Sequence, residues 1–246
     1  MTRFKKIIIS LALISIPVFS QPIVNIEDLR HSGELGIFKS VGINLDSSRG
    51  NENRDDFNFT FAFTQNNESI ESLFAFNKSE RTKDKTTEDE STFGHARILW
   101  KIDRPFDFET YIQTTENPFQ SYKTRNLIGL GVRFKNFEQY KLGLSILKEK
   151  EETLNGVKKD TERLNMYLHR EVNFSNEMSL DTSLFFQPST DDPKDDYKAS
   201  LLVSFNIPVS ENFNIQIQFS ESIDKDPPEL ADESDQSLST NFNYNF

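Results

Sequence analysis

Cysteine is absent from the 246 residues, which excludes disulfides and thiolate metal sites. Histidine is scarce, with His31, His95 and His169 the whole supply. The apolar stretch Ile7 to Phe19 is broken by Ser10, Ser15 and Pro17. At about 13 residues it falls short of the roughly 20 that a membrane helix needs. No segment carries a helical apolar face, and no glycine-rich phosphate loop or nucleotide motif occurs. Basic residues are in the minority, 28 against 39 acidic ones, for a net charge of −11. That balance argues against nucleic acid as a partner. The acidic runs Glu88-Asp89-Glu90, Asp191-Asp192 and Glu229 to Asp235 lack calcium-loop spacing and read as solvated charge. No cofactor and no metal is expected.

Both ends of the chain are informative. Arg3, Lys5 and Lys6 precede the apolar stretch, and Val18-Phe19-Ser20 offers a cleavage site before Gln21. Residues 1–20 therefore read as a signal peptide. With no cysteine after the site, a lipoprotein anchor is excluded. Residues 21–34 read as a periplasmic lead segment. At the other end, Leu238, Thr240, Phe242, Tyr244 and Phe246 alternate with Ser237, Ser239, Asn241, Asn243 and Asn245. A period of two is a strand. A last strand ending in Phe resembles the sorting signal of bacterial outer-membrane barrels, with Phe242, Tyr244 and Phe246 as its aromatic marks. It implies the barrel assembly machinery as a partner and outer-membrane lipid as the solvent.

Residues 35–246 read as one domain of about twelve strands, with ten as the alternative. The expected spans are 35–46, 56–65, 69–78, 92–102, 105–114, 124–135, 138–148, 161–171, 177–187, 196–207, 212–221 and 236–246. Phe57, Phe59, Phe61 and Phe63 share one face, opposite Asn58, Thr60 and Thr64. Phe213, Ile215, Ile217 and Phe219 repeat the pattern against Asn214, Gln216 and Gln218. Low mean hydropathy suits a barrel, since alternate residues face a polar lumen. Charged segments such as Glu80–Ser91 and Lys150–Asp160 read as long loops, alternating with short turns near Asp103–Arg104 and Asn136–Phe137. Short periplasmic turns and longer extracellular loops characterise outer-membrane barrels. The fold class is thus an all-β, transmembrane, antiparallel up-and-down barrel, expected to be a monomer in the outer membrane of a diderm bacterium.

Alternation also assigns an inside. Arg97 and Lys101, then Asp107 and Glu109, then Arg125 and Arg133, face inward from three successive strands. A turn centred near Arg104 sets Lys101 opposite Asp107, with Glu109 diagonal to Arg97 and Lys101 and Asp107 near Arg133. These six residues form the expected lumen charge network. It serves either as a structural filling or as the lining of a solute path. Gly129 and Gly131 make room inside for long side chains. A lipid hydrolase is weighed as well. His169 faces the lumen with Ser179 expected opposite, but no third member is evident and the pair points away from lipid. No catalytic residue is assigned.

Several motifs resemble the salt-induced outer-membrane protein family, a domain of unknown function. They are Gly94-His95-Ala96-Arg97 before Trp100, Phe108 to Gln113, Glu116-Asn117-Pro118-Phe119 and Arg125 to Phe134, with Gly50-Asn51 upstream. The resemblance implies an outer-membrane β-barrel and carries no activity, so no site residues come with it. The reading is an outer-membrane barrel of unknown specific function, with a narrow channel for small solutes or ions in front. A structural or surface-interaction barrel with a packed lumen is the alternative, and a lipid hydrolase the third.

Overall fold

The computed structural model describes residues 34–50, 53–118, 121–135, 140–174, 177–210, 213–229 and 231–244. The expected signal peptide, His31 with nearly all of the lead segment, and Phe246 lie outside these residues. Twelve strands run in order: β1 (Gly36–Ser48), β2 (Arg54–Asn66), β3 (Ile70–Lys83), β4 (Thr86–Trp100), β5 (Phe106–Asn117), β6 (Tyr122–Phe134), β7 (Tyr140–Thr153), β8 (Lys158–Asn173), β9 (Ser179–Pro188), β10 (Tyr197–Ser210), β11 (Phe213–Asp224) and β12 (Ser234–Tyr244). Each pairs with the next, so sheet order is chain order. Antiparallel neighbours need only a hairpin between them, and no crossover element is required. The fold is an up-and-down antiparallel β-barrel of twelve strands, and the start of β1 and the end of β12 fall at the same rim. No backbone pairing joins β1 to β12 among the described residues.

The two faces of the sheet differ as the alternation demands. Outside, Ile98, Trp100, Phe108, Ile112, Ile128, Leu130, Leu144 and Ile146 are all exposed. An apolar belt continuous over four strands has no favourable place in water, and hydrocarbon is the solvent that suits it. Inside, the alternate residues are buried, and they are not all polar. Leu99, Tyr111, Leu127, Leu147, Tyr167 and Phe185 share the inner face with charged groups.

The connections differ from expectation. The segment Glu80–Ser91 is no loop: β3 runs to Lys83, β4 starts at Thr86, and these two residues pair. Asp84 and Lys85 make the turn with φ of 47° and 69°. Two left-handed central residues give the hairpin whose twist matches its strands. Likewise Lys150–Asp160 shrinks to residues 154–157 between β7 and β8. The physical reason is that these charges alternate along the strand. Backbone pairing therefore continues past the apolar belt, with cross-strand ion pairs such as Lys78 to Glu90 at 3.5 Å and Lys83 to Glu88 at 3.9 Å. The longest connections are 189–196 and 225–233.

Candidate functional site

The site is the inner face of β4 to β11. Near the rim where β1 starts and β12 ends, the β4–β5 register sets Trp100 against Phe108 and Leu99 against Glu109. Glu109 thus lies diagonal to Arg97, as its position in sequence implies, and their ion pair measures 3.7 Å. Arg133 reaches the same Glu109 oxygen at 3.9 Å. All three side chains are buried.

Two expected pairings are redirected. Arg133 stands directly across from Asp107, yet the Asp107 carboxylate is ion-paired with Lys135 at 2.6 Å. It also accepts the Ile102 backbone N–H at 3.1 Å. Lys101, placed opposite Asp107 by the turn, instead donates to the Asn66 side chain and, at 2.7 Å, to the Asn67 carbonyl. The cause is that pairing with β5 ends at Trp100, while the Lys101 backbone N–H donates to the Ser69 carbonyl at 2.8 Å and so keeps this residue beside the β2–β3 turn.

A neutral layer lies above this cluster. Tyr111 pairs with Gly129 and Tyr167 with Gly143, and a Cβ on either glycine would run into the facing ring. Each glycine lets an aromatic ring lie flat on the neighbouring strand. A Cβ on Gly131 would meet Ser145. The Arg97 guanidinium sits 5.8 Å from the centre of the Tyr111 ring, and that of Arg133 sits 5.1 Å from Tyr167. Tyr111 and Ser145 hydroxyls are 3.0 Å apart, and the Asn165 amide donates to Ser145 at 2.9 Å.

Arg125 does not belong with Arg97 and Arg133. It joins a second cluster near the opposite rim, ion-paired to Glu149 and, at 3.3 Å, to Glu151. Arg163 holds the other Glu149 oxygen and reaches Asp196 at 2.8 Å. Lys198 lies 3.0 Å from Glu151 and 2.5 Å from Asp224. The Tyr122 hydroxyl donates to Asp224 at 2.5 Å and accepts from Lys198 at 3.2 Å. Glu149 and Lys198 are 0% exposed. Glu149 lies just past the expected end of the seventh strand at 148, and Glu151 falls in Lys150–Asp160, which composition assigns to a loop, and this is why sequence reasoning missed them. The available signal was Lys148-Glu149-Lys150-Glu151, whose charge alternates with the period of a strand.

The histidines are built into the wall. His95 stacks between Phe93 and Tyr111, and its Nδ1 lies 3.2 Å from Gln113 Oε1. His169 pairs with Ser183, not Ser179, at 2.8 Å, because the β8–β9 register sets Ser179 against Asn173. Both His169 and Ser183 are buried inside. On β12, Phe242 is exposed and stacks on Phe213 at 6.4 Å, and Tyr244 pairs with Phe213 in the ladder.

The family described as "Protein of unknown function, DUF481" matches residues 41–246, every strand but the first few residues of β1. The chain belongs to this family. Its description names neither an activity nor a salt response. No curated protein matches this DUF481 chain. Among solved structures, a NanC porin is 9% identical with a TM-score of 0.46, over 84% of this chain and 100% of the porin. The beta domain of the Bordetella autotransporter BrkA is 8% identical with a TM-score of 0.32, over 85% of this chain and 97% of that domain. At these values neither likeness bears on what the DUF481 chain does.

Proposed function

We infer that the chain is an outer-membrane β-barrel in which the inward charges form a structural ionic core, not a ladder for moving ions. The observation that carries this is Lys198, fully buried and held at once by β7, β6 and β11 through Glu151, Tyr122 and Asp224. A group that water cannot touch cannot exchange contacts with a hydrated ion. A conducting ladder also needs binding weak enough to release its ion. Buried networks of this kind act instead to fix one arrangement of their elements. The outer apolar belt supports lipid as the surrounding solvent, and the aromatic last strand supports delivery by the barrel assembly machinery. The chain acts as a monomer and without catalysis on this reading.

Planar-bilayer recording of refolded protein tests it. Asp107→Asn with Arg133→Gln, and separately Lys198→Met, should leave ion selectivity unchanged while lowering the temperature at which the folded gel band disappears. Charge-dependent conductance steps that these substitutions reverse would restore the channel reading.

A further inference from the structure

The barrel interior is two-sided. Strands β4 to β8 turn Arg97, Glu109, Arg125, Arg133, Glu149 and Arg163 inward, and all six are buried. The middle of β10, β11 and β12 turns no charge inward. Its inner positions are Ser200, Leu202, Ser204 and Asn206, then Asn214 to Ser222 and Ser237 to Asn241, taken at every second residue. On the same inner face, β1 and β2 carry Ser40, Asn44, Asn58 and Thr60. Ser200, Ser204, Ser220 and Ser222 are buried, but the rest of this side reaches solvent: Ser40 and Asn44 are exposed, and Asn58, Thr60, Gln216, Gln218 and Asn241 are half-buried.

Part of the arc is already ordered. Asn241 donates to Gln216 at 3.4 Å, and Gln216 donates to Asn206 at 3.1 Å and Ser204 at 3.2 Å. Asn206 donates in turn to Asp181 at 3.0 Å. This chain across four strands fixes the amides in place. One step further along, Gln218 faces Ser239 in the register, and neither makes a side-chain hydrogen bond among the described residues. Asn58 is uncommitted in the same way.

We propose that this arc binds a neutral polyhydroxylated solute of the saccharide class. Primary amides and hydroxyls each offer both a donor and an acceptor, which matches a sugar hydroxyl. An ion would need a counter-charge, and the middle of β10, β11 and β12 turns none inward, while Lys198 and Asp224 at one end of β10 and β11 are committed to each other, and Lys198 also to Glu151. Preordered neighbours lower the entropic cost of engaging the uncommitted groups. The proposal rests on the barrel reading but not on the conductance of the lumen, so the two fail in different experiments.

The test is isothermal titration calorimetry of refolded full-length protein with neutral hexasaccharides of glucose, xylose and mannose, and with an anionic hexagalacturonate. At least one neutral sugar should bind, and the anionic one at least tenfold more weakly. Gln218→Leu should weaken the neutral sugar about tenfold while keeping the heat-shifted gel band. Gln218→Ser should do the same if the leucine variant does not refold. No binding heat with any neutral sugar, equal affinity for the anionic one, or unchanged affinity in the folded Gln218 variant would each overturn the proposal.

Discussion

The Tyr122 hydroxyl on β6 donates to the Asp224 carboxylate on β11, 2.5 Å away and five strands along the sheet. Residues so far apart in sheet order meet only if the sheet rolls and the lumen is narrow at that height. Lys198 binds both of them. Two substitutions should therefore separate. Tyr122→Phe removes one charge-assisted hydrogen bond, worth about 1.5–3 kcal/mol. Asp224→Asn takes a counter-ion from a buried ammonium and should cost about 3–5 kcal/mol. Urea unfolding in lipid vesicles ranks them, and an Asp224→Asn protein as stable as wild type would show that the bridge contributes nothing.

Glu149 sits between Arg125 and Arg163, one carboxylate oxygen to each. Glu149→Gln leaves two buried guanidiniums facing a neutral group, with an expected loss of about 3–5 kcal/mol. Glu152, three residues along and paired with Lys123 at the barrel exterior, is the control. Glu152→Gln should change stability by less than about 1 kcal/mol. The same unfolding experiment reads both.

The Tyr167 ring lies over Gly143. Gly143→Ala pushes a methyl group into that ring, an overpacking cost of about 1–3 kcal/mol. Adding Tyr167→Leu should recover part of this loss. If the two losses simply add, the ring and the glycine are not coupled.

Lys85 is held at φ 69° in a two-residue turn. A side chain in that region costs about 1–2 kcal/mol, which glycine escapes. Lys85→Gly should raise the thermal midpoint of the heat-shifted gel band. A lowered midpoint would mean the turn has another shape.

Lys225, in the connection after β11, gives a pH signature. A hydrogen bond to Glu233, 2.7 Å away, raises its pKa above the ordinary lysine value. A raised lysine pKa stabilises the fold below the unfolded value, and the effect disappears as pH climbs through the folded one. NMR titration of the ammonium should show the raised value in wild type and its return towards normal in Glu233→Gln.

Period-two alternation in the sequence determined the fold class, the number of strands and which residues face inward. The reason is local: successive side chains on a strand point to opposite faces, whatever the strand pairs with. Arg97 and Glu109 could be placed near each other because one short turn sets their register. Composition misled where charge coincided with alternation. Glu151 looks like a loop residue, and Glu149 like one past its strand's end, until the pairing of β7 with β8 carries the strand through both. Only the tertiary structure decided which charges meet. Arg125 parts from Arg133 because it lies near the other rim, and Lys101 leaves Asp107 because its strand has ended. The bridge from Tyr122 to Asp224 depends on how tightly the sheet rolls, and curvature is a sum over all twelve strands that no single segment encodes.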